Sequence, residues 1–181
     1  MFQELNRKMK NKADRLLQIM QAVAWVVFVG LLIKAGAILF NYILSINNEE
    51  ASKNMFAGLN LYPYMKHNFM QYTFIVSYKV VLFATEAYIA YLVAKLLGGL
   101  DLKKPFNMHV QKLMQKISYG ILNLWIIAIL HNSHVRYIAK RHDFNMDLFS
   151  SDFIFLAGVI FIFAQIVKRG IDIQSENELT I

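Results

Sequence analysis

The sequence contains no cysteine and few charged residues, and each absence excludes a class of protein. Without cysteine, the chain forms no disulfide, holds no thiolate metal site and offers no cysteine nucleophile. Charged residues make up 17% of the 181 residues and apolar residues make up 57%, whereas soluble domains carry about 25% charge. This balance indicates a chain whose surface faces lipid rather than water.

Local motifs of common enzyme classes are missing as well. The sequence has no phosphate-binding glycine loop, no HExxH and no GxSxG, and it shows no internal repeat. Sequence support for catalysis is therefore close to absent. We predict a non-enzymatic protein with no cofactor.

Four long apolar segments are present instead, at about residues 17–44, 72–97, 113–130 and 153–167. The last segment has no charge until Lys168-Arg169, and we expect the chain to break at Gly170. A bilayer is crossed by a helix of about 20 apolar residues, and a chain of this length is one domain. We therefore predict an all-α fold, an integral membrane bundle of four transmembrane helices in a single domain, 1–181, with a tail at 168–181.

Two shorter helices are predicted between these segments. In the connection between spans two and three, Pro105 suits the first turn of a helix, and apolar side chains then recur at helical spacing opposite Lys112 and Lys116. The apolar positions are Phe106, Val110, Leu113, Met114 and Ile117. This pattern predicts an amphipathic cytoplasmic helix that runs on into span three. Residues 49–57 could form a short interfacial helix ended by Gly58, and 131–147 are expected to be a polar connection.

The distribution of basic residues predicts the orientation. Four spans place both termini on one side of the membrane, where we count twelve lysines and arginines against five on the other side. Loops on the cytoplasmic side of a membrane are enriched in lysine and arginine. Both termini are therefore predicted to be cytoplasmic.

Four polar residues, Lys34, Lys79, Glu86 and Asn123, lie inside the predicted spans. A charge near the bilayer centre costs at least ~2.5 kcal/mol, so such residues usually face the bundle and find a partner. If spans one and two form an antiparallel hairpin, Lys34 and Glu86 lie close enough to pair, whereas Lys79 and Glu86 are about 10 Å apart along one helix. The charges then either fix helix register or serve a small ion- or proton-linked transporter.

Histidines give a weaker hypothesis. His131 and His134 are three residues apart, and with His142 or Asp143 they could hold zinc in a metal-dependent membrane enzyme. The alternative is an interfacial loop rich in amphipathic side chains, since the spacing fits no standard zinc motif. We expect no metal.

The C-terminal stretch 171–181 carries three acidic residues, Asp172, Glu176 and Glu178, and no basic residue. It ends in Leu179-Thr180-Ile181, an alternating segment that favours a β-strand. A strand of this kind could dock on a partner, and the alternative is a frayed terminus.

Two stretches resemble a known family. Lys104-Pro105-Phe106, followed by the amphipathic helix, and Lys168-Arg169-Gly170-Ile171, followed by the ending from Glu176 to Ile181, resemble the YoaS-like bacterial membrane family of unknown function. Glu178 stands where that family usually has Asp. The resemblance implies four spans in a bacterial inner (cytoplasmic) membrane and offers no catalytic residue.

The same resemblance implies a partner, because the family is typically encoded beside a small helix-turn-helix regulator of the phage-repressor type. We therefore predict a regulatory or scaffolding protein that binds a cytoplasmic or membrane partner, with no direct binding to nucleic acid. Assembly into a homo-oligomer or a larger membrane complex is left open. The predicted partner-binding residues are Pro105, Phe106, Arg169, Gly170, Glu176, Glu178, Leu179, Thr180 and Ile181.

Overall fold

The computed structural model describes residues 2–101, 106–142, 148–150 and 152–178, with side chains from residue 12 to 140 and from 148 to 176 within these ranges. The regular structure in this part of the chain is helical. It consists of α1 (Phe2–Asn47), a 3-10 helix (Glu49–Lys53), α2 (Tyr62–His67), α3 (Phe69–Gly98), α4 (Met108–His142) and α5 (Ile154–Glu178). The predicted all-α fold is confirmed.

Four of these helices are long and apolar enough to cross a membrane. Their candidate spans are Lys12–Asn47, Phe69–Gly98, Met108–Lys140 and Ile154–Glu176. No more than 39% of the most apolar window of any span is buried inside the protein, so most of this apolar surface faces outward. Outward-facing apolar surface on this scale suits lipid, and the chain is a multi-pass membrane protein.

The helices pack in the order α1, α3, α4 and α5, with α1 and α5 at the outer positions. The largest apolar cluster joins α1, α3 and α4 to the loop between α1 and α3, and it includes Ile38, Met55, Leu61 and Tyr72, which are at most 1% exposed. A second cluster joins α3, α4 and α5 around Ile117.

Two ends of the bundle can be distinguished from these contacts. We call the end with residues 12–21, 98–101, 106–112 and 168–178 the basic end, and the end with residues 48–68 and 148–150 the loop end. At the basic end, neighbouring side chains pack directly against Gly98, Gly99 and Gly170, and these contacts connect the helices.

Helix α4 corrects the prediction of a polar connection over 131–147, because residues 131–142 continue the helix. Val135, Ile138 and Ala139 are buried at helical spacing, so the apolar stripe of α4 extends beyond the apolar run of the sequence. The stripe is narrow. Charged residues on the exposed side, such as Arg136 and Lys140, lower the mean hydropathy of this segment, so hydropathy alone did not predict the helix.

Helix α5 corrects the predicted break at Gly170 and the predicted end of span four at residue 167. The helix continues without interruption to Glu178, since one glycine in a helix costs only about 1 kcal/mol. Residues 171–178 of the tail are therefore helical. Leu179, Thr180 and Ile181 lie outside the described residues.

The stretch between spans two and three runs on into span three as one helix, as predicted. Helix α4 begins at Met108, with the Asn107 side chain accepting a hydrogen bond from the Val110 backbone at 2.9 Å. The stretch 108–116 is thus the first part of α4, and its apolar side chains Leu113 and Ile117 pack inside the bundle. Pro105 lies outside the described residues.

The first helix of the loop between α1 and α3 is shorter than predicted. Its 3-10 helix ends at Lys53 rather than near residue 57, and Ala57 and Gly58 have positive φ angles of 48° and 85°. Asn68 then starts α3, because its side chain accepts hydrogen bonds from the backbone of Met70 and Gln71.

Candidate functional site

A cavity of about 460 Å³ lies between the loop end and the middle of the bundle. It is lined by Lys34 of α1, Lys79 and Phe83 of α3, the turn 56–59 and the segment 148–150. Four separate parts of the chain therefore close around two lysines. None of the described residues that line the cavity is acidic.

The ammonium groups of Lys34 and Lys79 each contact a different ring of one aromatic pair, Phe83 and Phe149. Lys34 Nζ is 3.9 Å from the centroid of the Phe83 ring, and Lys79 Nζ is 4.9 Å from the centroid of Phe149. The two rings are 5.6 Å apart. A cation over an aromatic face gains about 0.5–2 kcal/mol, more when water is excluded, and Lys79 is only 2% exposed. The aromatic pair therefore helps to hold two positive charges at this depth.

A non-helical segment, 148–150, forms one wall of the cavity. The Asn132 side chain donates a hydrogen bond to the Phe149 carbonyl at 2.7 Å and accepts one from the Phe149 N–H at 2.9 Å. Non-helical backbone at membrane depth is tolerated where it is buried in protein or lines a water-filled cavity. Asn132 satisfies both polar backbone groups of Phe149 and so fixes the ring that contacts Lys79.

Helix α5 begins well away from the loop-end terminus of α4. The segment 148–150 therefore lies beside the membrane-spanning helices. Ser118 Oγ donates to the Ala157 carbonyl at 2.9 Å, and Ser118 lies 14 residues from Asn132, or about 21 Å along the α4 axis. Ile154 precedes Ala157 by only about 4.5 Å of helix. Phe149 and Ile154 therefore lie about 16 Å apart along the α4 axis.

The predicted ion pair between Lys34 and Glu86 is not formed, although both side chains belong to the described part of the chain. The stem of Lys34 carries its ammonium to Phe83 and the cavity instead. Lys34 acts on Glu86 only as a nearby charge. Of the four polar residues predicted inside the spans, the structure brings together Lys34 and Lys79, whereas Asn123 lines a different depression between α3 and α4.

The histidines considered as zinc ligands, His131 and His134, lie in the packed interface of α3 and α4. His131 is fully buried, 5.0 Å from the Phe149 ring, and His134 is hydrogen-bonded to Gln71. Within the described side chains, no group of three or more histidines and carboxylates could hold a metal ion. The side chain of His142 lies outside the described residues.

The basic end brings together the two stretches predicted to bind a partner. A Cβ built on Gly170 would lie 2.8 Å from the Phe106 ring, so the ring rests directly on the α5 backbone because Gly170 has no side chain. Phe106 remains 46% exposed, and Arg169 and Glu176 are exposed on α5. Pro105 and the side chain of Glu178 lie outside the described residues.

Sequence reasoning missed Phe83, Asn132 and Phe149, which complete the cavity. Phe83 looks like any lipid-facing aromatic of span two, and Phe149 lies just before span four. Asn132 beside two histidines was the signal that was available, since an asparagine in a membrane helix needs hydrogen-bond partners.

Comparison with known proteins identifies a family. A family model described as a protein of unknown function (DUF2975) matches residues 11–181, and the chain belongs to this family. No curated protein matches the chain. No solved structure matches it either.

Proposed function

We propose that this member of the DUF2975 family is a non-enzymatic regulatory or scaffolding protein of the bacterial inner membrane, with cytoplasmic termini, that binds a protein partner through its basic end. The observation that supports the proposal is the contact of Phe106 with Gly170. It joins into one surface the two stretches that carry the resemblance to YoaS-like proteins.

The shape of this surface suits a protein partner. Helix α5 continues for nine residues beyond Arg169, or about 14 Å, and Arg169, Ile173 and Glu176 recur on one face of it. Ile173 is 45% exposed. An exposed helix face with one apolar side chain between charged residues can lie in a groove of another protein.

The charge of the surface indicates the class of partner. Asp172 and Glu176 follow the basic pair at 168–169 and carry negative charge to the end of α5. A basic partner would be attracted to the acidic last turns of α5 within the basic end. A small helix-turn-helix regulator, which the YoaS-like resemblance implies, has the basic surface that this requires.

Affinity purification from the native host in mild detergent tests the partner, with mass spectrometry of the proteins retained. We expect a reproducible partner that is lost when residues 171–181 are deleted and when Phe106→Ala or Gly170→Leu is introduced. Phe155→Ala is the matched control, since Phe155 is 79% exposed at the start of α5. Retention of every partner after the deletion would contradict the proposal.

Cysteine labelling tests the orientation, because the chain has no cysteine of its own. A single cysteine at Lys53 should react with a membrane-impermeant maleimide in intact cells, and one at Gln174 should react only after the membrane is opened. The reverse pattern would place the termini on the outside.

A second candidate function, favoured by the cavity between Lys34 and Lys79, is a small ion- or proton-linked transporter. In that case Lys34→Gln, Lys79→Gln and Glu86→Gln should each lower flux in reconstituted vesicles while the protein stays folded. Lys66→Gln is the control, because Lys66 is an exposed lysine at the loop end. If the variants fail to fold and the parent protein shows no flux, the three charged residues have a structural role.

A further inference from the structure

A depression of about 690 Å³ lies on a lipid-facing side of the bundle, between α3 and α4. Its lining includes small residues, Ala84 and Gly120, beside two large ones, Tyr88 and Tyr119. The tyrosines are 48% and 53% exposed. One face therefore carries both a hollow and two protruding side chains.

Three polar side chains in this groove have no hydrogen-bond partner within the described residues. Asn123 lines the groove with an exposed side chain, and neither its amide nor the hydroxyls of Tyr88 and Tyr119 are hydrogen-bonded to a described residue. By contrast, the Thr85 hydroxyl, which also lines the groove, donates to the Val81 carbonyl at 2.8 Å. The unmet hydrogen-bonding capacity is therefore concentrated at Asn123 and the two tyrosines.

The depth of Asn123 makes this unmet capacity costly. Asn123 lies near the middle of the candidate span Met108–Lys140, about 23 Å from its first residue and about 26 Å from its last. Water does not reach such a position from either side, and lipid chains offer no hydrogen bond. A polar group that is exposed there needs a protein partner.

We propose that this groove is the interface of a symmetric homodimer, in which the amide of Asn123 is hydrogen-bonded to Asn123 of the partner subunit. An asparagine amide both donates and accepts, so it can pair with its own copy across a two-fold axis. Most homo-oligomers are two-fold dimers, in which the same patch meets itself.

The shape of the face agrees with self-association. In a two-fold dimer Tyr88 or Tyr119 of one copy can enter the hollow at Ala84 and Gly120 of the other, because knob and hollow lie on one patch. Small residues allow membrane helices to approach closely, and asparagine then bonds across the contact. Lipid would fill the same volume but leave Asn123 without a partner.

The charged residue of the groove is compatible with a dimer. Lys116 is exposed and lies seven residues from Asn123 toward the basic end, or about 10 Å along the helix. Its long stem can carry the ammonium toward the headgroups. Two copies of Lys116 can therefore point away from the axis while the Asn123 pair forms.

Disulfide crosslinking in native membranes tests the dimer. With Asn123 retained, Ile126→Cys places a cysteine at the groove, where Ile126 is 45% exposed. Mild oxidation should then give a dimer band several-fold stronger than Val26→Cys on α1 or Ile162→Cys on α5, which are 73% and 59% exposed to lipid. Equal bands at the three positions would overturn the proposal.

A second substitution tests the role of the asparagine pair. Adding Asn123→Leu to the Ile126→Cys chain should lower dimerisation by about tenfold, since hydrogen bonds between membrane helices are worth up to this factor. Because Asn123 bonds to nothing in the described part of its own chain, thermal unfolding of the monomer should not change. An unaltered dimer fraction in Asn123→Leu, or crosslinking only to a different protein, would also overturn the proposal.

Discussion

The two ends of this bundle are held together by different kinds of contact. At the loop end, buried side chains form hydrogen bonds between elements, as where Ser45 Oγ and the Tyr72 hydroxyl are 2.8 Å apart and the Tyr72 hydroxyl donates to Met55 Sδ at 3.4 Å. At the basic end, side chains rest on bare backbone at Gly98, Gly99 and Gly170.

This difference indicates which end of the bundle fixes the fold and which end exposes surface to other molecules. Buried hydrogen bonds are costly to break, since each orphaned group loses about 1–3 kcal/mol, so the loop end tolerates little change. A ring seated on a glycine, such as Phe106 on Gly170, keeps much of its surface exposed to other molecules. The proposed partner surface therefore lies at the end that can change with the smaller loss of stability.

Among the tests of this comparison, the largest loss of stability is expected from Tyr72→Ala. Tyr72 is fully buried, and the substitution removes a ring and the hydrogen bonds to Ser45 and Met55. We expect a loss of about 3–5 kcal/mol, measured as unfolding in mild detergent. Tyr72→Phe should cost about 1 kcal/mol, so equal losses in the two variants would contradict the role given to packing.

The next effect is expected from Asn132→Leu, which removes both hydrogen bonds to Phe149. Two backbone groups are then left without hydrogen bonds beside the cavity, and a loss of about 2–4 kcal/mol should follow, from the lower part of the range of about 1–3 kcal/mol for each group. A cysteine placed at Ser150 reports on the segment, and a thiol reagent should label it faster in the Asn132→Leu background. Unchanged labelling and unchanged stability would show that Asn132 does not fix this wall.

A smaller effect is expected from Gly58→Ala in the turn that covers the cavity. Gly58 has a φ of 85°, a conformation that disfavours alanine, so the loss should be about 1 kcal/mol. Gly30→Ala is the control in α1, where an added Cβ meets nothing within 4 Å. That substitution should instead stabilise by about 0.5–1 kcal/mol. Equal signs for the two would contradict this account of the turn.

The smallest effect is expected at the basic end and needs a double-mutant cycle. Gly170→Ala should cost under about 1 kcal/mol, because the half-exposed Phe106 ring can move away from the new methyl group. In a Phe106→Ala background the methyl group meets no ring, so Gly170→Ala should stabilise the helix by about 0.5–1 kcal/mol, giving a measurable coupling between the two positions. Additive losses would show that the ring and the glycine do not interact.

The sequence carried more information about the spans than about the polar contacts. Four apolar segments predicted α1, α3, α4 and α5. The ends were less well predicted, because Val135 and Ile138 continue α4 on a narrow stripe and Gly170 does not stop α5. Hydropathy reports how much of a segment is apolar, and it is insensitive to a stripe on one face.

By itself the sequence determined that this chain forms four apolar helices with basic residues at one end, because helix period and hydropathy depend on neighbours along the chain. Only the tertiary structure decided that Lys34 shares a cavity with Lys79 rather than pairing with Glu86, that Asn132 holds Phe149, and that Phe106 rests on Gly170. These contacts depend on the rotation and axial offset of each helix and on the direction of each side chain. Those quantities are fixed by packing between segments far apart in sequence.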